Sequence, residues 1–178
     1  LVAQVYSDSF FQFFGDWLNN PQNASKVVDE NGQPLLVWHY TRQDFSEFDI
    51  DKARNSGYSK VGFWFGSNKE ISSQYGTKAV PSFLNIEDEK IYNSWYDFTS
   101  DIEYIATKAE LGDEANYYRK VLSKEYDGVV LESVDIDEKI GEQDIFVAFN
   151  PNQIKSATEN VGTFSEDSND IRFSQIIP

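Results

Sequence analysis

Residues 61–76 read VGFWFGSNKEISSQYG, and this stretch decides how the rest of the chain is interpreted. Residues 61–65 are apolar, aromatic and β-prone, and they end at Gly66, as expected for a short strand. Ser67 stands three residues before Glu70, which is the capping-box spacing that begins a helix. The stretch therefore predicts a strand that runs directly into a helix.

The predicted helix carries a serine and a tyrosine on one face. Ser72 lies three residues before Tyr75 and Ile71 lies four before it, so the three side chains point the same way. Gly76 follows as the end of the helix. Such a joint can form the wall of a pocket, or it can be an ordinary strand-helix connection with a half-buried tyrosine.

The composition is that of one folded domain. The chain has 178 residues, of which 40% are hydrophobic and 16% aromatic. This length is enough for one sizeable hydrophobic core and short for two domains. We therefore expect a single domain over residues 1–178. Because the sequence contains no Met, we interpret it as a domain excised from a larger protein or as a processed fragment.

Charge and residue usage exclude several functional classes. The chain has 30 acidic and 15 basic residues, and its net charge of −15 repels nucleic-acid phosphates and anionic membranes. With no Cys and one His, it lacks disulfides, thiolate sites and a multi-histidine metal centre. No apolar run approaches a membrane span, and the N-terminus lacks a signal-peptide pattern. We expect a cytoplasmic protein that holds no metal.

The single histidine comes at the end of an apolar strand. The Asn-Gly pair at 31–32 precedes the β-prone residues 35–38, a pattern typical of a hairpin. That strand leads into His39, Tyr40 and Thr41. The polar triplet is a candidate site edge, although a lone His is also common as a structural residue.

The rest of the chain alternates short strands and helices, and the pattern predicts an α+β fold with a split or sandwiched mixed sheet of six to eight strands. The further elements expected are a helix near 10–18, an edge or bulged strand at 78–85 containing Pro81, a charged turn at 87–90, two helices in 101–124 broken at Gly112, strands at 129–131 and 145–149, and polar surface segments at 153–160 and 162–178, the last held by Ile171 and Phe173.

Three pieces of the chain now stand in a fixed order: a strand ending in His39-x-Thr41, the joint bearing Ser72 and Tyr75, and a late strand preceded by acidic residues. This order resembles the ADP-ribosyltransferase superfamily, on the side of diphtheria toxin and the poly(ADP-ribose) polymerases, whose signature is His, then Tyr, then Glu. LVWHYT resembles the first strand of that family. GFWFGSNKEISSQY resembles its second motif, with Trp64 in place of a Tyr. The resemblance implies an ADP-ribosyltransferase-like split mixed sheet with flanking helices.

Further blocks narrow the resemblance to the ADP-ribosyltransferase domains in polyvalent and toxin-like proteins of phages and conjugative elements. They are spread over residues 13–174, so the resemblance covers nearly the whole chain. FNPNQIKSA is the most specific block within them. The blocks are FFGDW, ASKVVDENGQPLLVWH, YDGVV, FNPNQIKSATENVGTF and NDIRFS.

The resemblance implies NAD⁺ as co-substrate and gives roles to matching positions. His39 would hydrogen-bond the ribose next to the nicotinamide, the main chain of Tyr40 would hold the carboxamide, and Tyr75 would stack on the nicotinamide ring. Tyr40 replaces the usual Gly of the family. The other NAD⁺-binding positions implied are Thr41, Gly62, Trp64 and Ser72.

The acidic position of the signature is less sharply defined. Alignment on the strand before the NPNQIK turn puts Asp144 there, with Glu142 one strand period earlier and Gln143 between them. Asp144 is our first assignment and Glu142 the second. Both can also be solvated charges at a turn.

Three functions are consistent with these residues. The first is an NAD⁺-dependent mono-ADP-ribosyltransferase that modifies a macromolecule, above all a protein of a host or competitor cell. The second keeps the pocket but gives the sugar to water, as an NAD⁺ glycohydrolase. The third is a catalytically degenerate fold that binds NAD⁺, ADP-ribose or a protein partner.

Overall fold

The structure is a computed structural model that describes residues 4–55, 57–136, 138, 141–159, 164–165 and 167–172. Within these residues the chain forms four α-helices and a seven-stranded mixed sheet, which confirms the predicted α+β class. The helices are α1 Asp8–Phe14, α2 Lys69–Ser72, α3 Trp95–Ile105 and α4 Glu114–Leu122. The strands are β1 Val37–Thr41, β2 Phe63–Gly66, β3 Lys78–Leu84, β4 Glu89–Tyr92, β5 Gly128–Val134, β6 Gln143–Ala148 and β7 Ile154–Ser156.

The sheet has the strand order β4-β5-β6-β2-β1-β3-β7. Its neighbours are antiparallel except for β4 and β5, which run parallel. Side chains alternate between its two faces. Phe63, Phe65 and Phe146 enter one buried apolar cluster, whereas Ile145 and Val147 enter another, together with α3 and α4. α1 covers Phe83 of β3 in a third cluster.

β1 and β2 separate after a single pair of residues, Trp38 with Gly66. On its other side β1 pairs with β3, where Trp38 lies opposite Pro81. Proline has no N–H, and the Pro81 carbonyl accepts from Ala157 on the far side at 2.8 Å. The Trp38–Pro81 pair is therefore a non-hydrogen-bonded pair. The main-chain N–H and C=O groups of Trp38 and Tyr40 then both point away from β3 and towards β2. Beyond Trp38, Tyr40 directs its N–H and C=O into this opening, which we call the β1–β2 split.

Several predicted elements are corrected by the structure. β3 lies inside the sheet, so the edge or bulge predicted from Pro81 is wrong. Strand β4 overlaps the predicted charged turn, and strand β7 lies in the predicted polar segment. Helix α2 is capped by Asn68, whose side chain accepts from the N–H groups of Glu70 and Ile71, and not by Ser67.

Other predictions hold. Two helices flank Gly112, which has a positive φ of 90° that favours glycine. The helix predicted near 10–18 begins after Ser7, whose hydroxyl accepts from the N–H of Phe10, but it ends at Phe14, so its predicted extension to residue 18 is wrong. Ile171 is buried, and Phe173 lies outside the described residues. No helix in the described ranges has the length and apolar character needed to cross a membrane.

Candidate functional site

The segment that carries Ser72 and Tyr75 crosses over β1 beside the split. It consists of α2 and a 3₁₀ turn at Ser73–Tyr75. At its start the Lys69 ammonium lies 4.9 Å from the centre of the Trp38 ring. At its end, a side chain at Gly76 would come within 2.6 Å of the Thr41 main-chain nitrogen. The segment therefore passes over Tyr40, and only glycine allows its close return to β1.

Gln143 ties this segment to the sheet. Its buried side-chain oxygen accepts from the N–H of Asn68 at 3.0 Å and from the hydroxyl of Ser72 at 3.3 Å. Gly66 lies directly beneath, where any side chain would overlap both Gln143 and Ser72. The amide at 143 thus fixes the first turn of α2 and the position of the Ser72 hydroxyl.

A small hollow lies beside this junction, with a volume of about 10 Å³, room for roughly one water. Tyr75, one of its lining residues, is 54% exposed. We refer to this site as the hollow throughout. Its lining residues are Ile71, Tyr75, Val134, Asp135, Ile136, Gly141, Gln143 and Ile145.

His39 lies on the other face of β1 and is not among the residues that line the hollow. Its ring packs edge-on against Phe48, with centroids 5.0 Å apart, and tilted against Phe65 at 5.5 Å. Nδ1 lies 2.8 Å from the Trp64 carbonyl, and since a carbonyl can only accept, Nδ1 carries the proton. Burial lowers the pKa of His39 below its usual value of 6.5, although the bond to Trp64 acts in the opposite direction. The ring is therefore neutral at pH 7, with Nε2 as an acceptor.

The two acidic candidates do not line the hollow either. Asp144 alternates with Gln143 and Ile145 along β6, and its carboxylate accepts from the N–H of Ser133 at 2.8 Å. Glu142 is exposed just before β6. The structure thus brings Ser72, Tyr75 and Gln143 together, and leaves both predicted acids outside this group.

The remaining predicted positions, Gly62, Trp64 and Thr41, make contacts within the fold in the described residues. Gly62 is buried where a side chain would come within 2.5 Å of the Ala148 carbonyl. Trp64 packs against Phe98 with ring centroids 5.8 Å apart, and its buried indole N–H has no hydrogen-bond partner among the described residues. The Thr41 hydroxyl accepts from the N–H of Gln43 at 3.2 Å.

Sequence reasoning missed two residues of the site. Gln143 stands between the two acidic candidates, and Asp135 belongs to none of the quoted motifs. The signal that could have found Gln143 is strand alternation from the apolar Ile145, which puts residue 143 on the same face. No local pattern marks Asp135, which lines the hollow just past the end of β5. In the described part of the chain, no group of three or more His, Asp or Glu could hold a metal ion.

The side chains of the FNPNQIKSA block, the most specific of the quoted blocks, make hydrogen bonds that stabilise the fold. The Gln153 amide donates to the carbonyls of Asn85 at 2.8 Å and Asp127 at 2.9 Å. The buried ammonium of Lys155 donates to the carbonyls of Ser168 at 2.5 Å and Asp170 at 3.1 Å. These bonds hold the chain around β7 to distant loops.

Comparison with known proteins supplies the family. A family described as "ADP-Ribosyltransferase in polyvalent proteins" matches residues 29–164, more than half of the chain. No curated protein matches the sequence. A solved structure described as "Crystal structure of an anti-CRISPR protein" is 17% identical with a TM-score of 0.36, over 67% of this chain and 91% of that one, too distant to support any inference. From the family match and the seven-stranded α+β fold, the chain belongs to the ADP-ribosyltransferases found in polyvalent proteins.

Proposed function

We propose that the chain transfers a single ADP-ribose from NAD⁺ to a macromolecule, above all to a protein, and releases nicotinamide. The observation that carries this proposal is the position of the Tyr40 main chain, which faces the β1–β2 split beneath the segment bearing Ser72 and Tyr75. The net charge of −15 disfavours a nucleic-acid acceptor, because it repels phosphates.

The split matches the nicotinamide group in chemistry. A carboxamide offers N–H donors and a carbonyl acceptor, which the C=O and N–H of Tyr40 complement. The Ser72 hydroxyl donates to Gln143 and can still accept from the carboxamide. The half-exposed Tyr75 ring offers a π face to the cationic nicotinamide of NAD⁺, an interaction of about 0.5–2 kcal/mol.

His39 would contact the ribose from the other side of the split. Because β2 leaves β1 after one pair, a ligand in this opening can touch groups on both faces of β1. The neutral imidazole offers Nε2 as an acceptor for a ribose hydroxyl, while Nδ1–H remains bonded to Trp64. In this arrangement His39 orients the sugar and transfers no proton.

The reaction breaks the bond between ribose C1′ and the nicotinamide nitrogen. The bonding electron pair leaves with nicotinamide, which becomes neutral, and the sugar passes through an oxocarbenium-like transition state. An oxygen or nitrogen of the acceptor forms the new bond to C1′ and loses its proton to solvent. Water in place of the acceptor would give hydrolysis of NAD⁺ in the same site.

One observation favours a second candidate, a domain that binds NAD⁺ or ADP-ribose without turnover. The β6 side chain that faces Ser72 is the amide of Gln143, which carries no negative charge to stabilise the developing cation. A binding module would keep the contacts to nicotinamide and lack this electrostatic assistance.

NAD⁺ labelled separately in its nicotinamide and in its adenylate phosphate distinguishes these functions. The protein is incubated with each label and a cell extract, and free nicotinamide and macromolecular label are measured. Protease-sensitive label supports the proposal, and nuclease-sensitive label contradicts the protein acceptor. Free nicotinamide without macromolecular label indicates hydrolysis of NAD⁺. If neither free nicotinamide nor macromolecular label forms, the result favours the binding module.

Tyr75→Ala tests the stacking contact. We expect nicotinamide release to fall by about 2- to 30-fold, since loss of about 0.5–2 kcal/mol of stacking corresponds to that range. The melting temperature should be unchanged, because the side chain is 54% exposed. The matched control is Tyr104→Ala, which removes another exposed tyrosine on α3. Equal turnover in the two variants would remove Tyr75 from the site.

A further inference from the structure

We propose that the outer edge of β4 and the groove between β4 and α3 bind an extended segment of a partner protein in which Arg or Lys alternates with apolar residues. This proposal goes beyond the transfer of ADP-ribose and holds whether or not the chain turns over NAD⁺. It follows from the place of β4 in the sheet, from the direction of its main-chain groups and from the acids that line the groove.

Strand β4 lies at one end of the sheet and pairs only with β5 among the described strands. It has four residues, about 13 Å of extended chain, which is enough to pair with a short segment of another protein. An uncovered edge strand of this kind is a template for an added strand, and main-chain hydrogen bonds then supply much of the affinity.

The main chain of Ile91 points out of the sheet at this edge. The Ser67 N–H donates to the Asp144 carbonyl at 2.9 Å, so Asp144 faces β2, and two residues along β6 so does Phe146. Val130, the partner of Phe146 on β5, therefore faces away from β6 and towards β4. In a parallel pair Val130 bonds to the residues on either side of its partner Ile91. The N–H and C=O of Ile91 are thus directed outwards, where an added strand would meet them.

A groove of about 420 Å³ follows this edge, a volume typical of clefts that take ligands. Lys90 and Tyr92 point to one face of the sheet and Ile91 to the other, yet all three line the groove. The groove therefore includes the outer edge of the strand, where Ile91 is 45% exposed. Helix α3 forms the opposite wall and presents Asp97 and Asp101, which are four residues apart and share one helix face.

The acids of the groove favour a basic segment. Asp97 is exposed, and the Asp101 carboxylate accepts from the Tyr92 hydroxyl, which fixes its position and leaves further acceptor sites. Lys90, the cation among the described lining residues, already lies 5.7 Å from the centre of the Tyr92 ring. The net charge of −15 also attracts a basic partner. Because side chains alternate along an extended segment, basic residues towards α3 would alternate with apolar residues towards Ile91.

Three fluorescein-labelled peptides of equal charge separate this docking from attraction by charge alone. The first has eight residues in which Arg and Val alternate, the second has four Arg followed by four Val, and the third is the alternating peptide with every peptide nitrogen methylated. Fluorescence anisotropy with the whole chain, without NAD⁺, gives each Kd. We expect the alternating peptide to bind about tenfold more tightly than the other two, since one or two main-chain hydrogen bonds correspond to that ratio. Equal affinity of all three, or no binding of the alternating peptide, would overturn the proposal.

Substitutions in the chain test the two walls of the groove. Ile91→Pro removes the outward N–H and should weaken binding of the alternating peptide about tenfold, whereas Ile91→Val keeps that N–H and should stay within about twofold. Because this N–H takes no part in pairing with β5, the melting temperature of Ile91→Pro should stay near that of the wild type. Asp97→Asn should weaken binding by up to about fivefold. Its matched control is Glu103→Gln, an exposed acid on α3 outside the groove lining, which should change nothing.

The variants also decide between occupants. Unchanged affinity in Ile91→Pro would remove the strand edge from the docking surface, and unchanged affinity in Asp97→Asn would remove the selection for basic residues. If Ile91→Pro lowers the melting temperature, the comparison of methylated and unmethylated peptides tests main-chain pairing in the wild-type chain. Sedimentation of the chain alone tests the other occupant, because a dimer that Ile91→Pro dissociates would make a second copy the partner and overturn the proposal. Peptide binding without nicotinamide release would overturn the proposed function and leave this one standing.

Discussion

The loop-to-strand region around β7 and the hollow around Tyr75 use polar side chains in opposite ways. Near β7, Gln153 and Lys155 are buried and their side chains bond to distant main-chain carbonyls. At the hollow, Tyr75 is 54% exposed and the rim is open to solvent. Polar groups of the first region hold the fold, whereas at the second region the Tyr75 ring lies within reach of a ligand.

This difference shows that a recognisable block of sequence need not lie at the accessible site. The FNPNQIKSA block lies within the residues that match the family, yet its buried glutamine and lysine stabilise loops. The segment with Ser72 and Tyr75 is a weaker pattern and lies at the accessible site. Substitutions in the two regions should therefore separate stability from activity.

The largest effect is expected for Lys155→Met. Methionine fills a similar volume but leaves the carbonyls of Ser168 and Asp170 without this donor, which should lower the free energy of unfolding by about 2–3 kcal/mol. The measurement is denaturant unfolding at pH 7. The control Lys124→Met removes an exposed lysine after α4 and should change stability by less than about 0.5 kcal/mol. Equal stability of both variants would contradict the structural role of Lys155.

A smaller effect on both stability and activity is expected for Gln143→Leu, because Gln143 holds the fold through its hydrogen bonds and also lines the hollow. Leucine removes the acceptor for Asn68 and Ser72 and should lower the free energy of unfolding by about 1–2 kcal/mol. Since α2 then loses its tie to the sheet, the KM for NAD⁺ should rise more than kcat falls.

Gln74→Leu provides the control for this change, because Gln74 is exposed on the same segment. It should leave the free energy of unfolding and the KM unchanged. If Gln143→Leu lowers stability without raising the KM, the position of α2 does not govern NAD⁺ binding.

Local signals in the sequence predicted much of the fold. The break at Gly112 and the strand ending at Gly66 each depend on neighbouring residues alone. β4 was missed because its EKIY sequence is half charged and its pairing with β5 is distant in the chain. β7 was missed because Lys155 interrupts its apolar pattern, although the fold buries that side chain.

For the site too, local spacing could be predicted from the sequence, whereas the register between strands could not. Helical spacing correctly placed Ser72 and Tyr75 on neighbouring turns of one segment. The side of β6 that meets Ser72 depends on strand register, and a shift of one residue exchanges Gln143 for Asp144. The irregularity in β5 that pairs Val134 with Gln143 depends on contacts between β5 and β6, which no local pattern contains.

The smallest effect concerns the pH dependence of the lysine in the region around β7. Burial lowers the pKa of Lys155 from 10.5 to about 8, against the opposing attraction of Asp170, whose carboxylate also pairs with Arg172 at 2.8 Å. Between pH 8 and 10.5 the unfolded chain therefore binds more protons at this side chain than the folded chain does. Stability from this group rises with pH across that window and is lost as pH falls through 8.

The stability difference between wild type and Lys155→Met isolates this term, because Tyr92 and Tyr118, whose pKa values are raised by burial, are present in both proteins. The difference should grow from pH 8 to 9.5, by less than the limit for one proton of about 1.4 kcal/mol per pH unit. A neutral amine still donates to the two carbonyls, so the bonds persist while the cost of burying the charge disappears. A difference that shrinks over this range would mean that Lys155 is stabilised as a cation, and would place an ionic contact where the described residues supply only carbonyl acceptors.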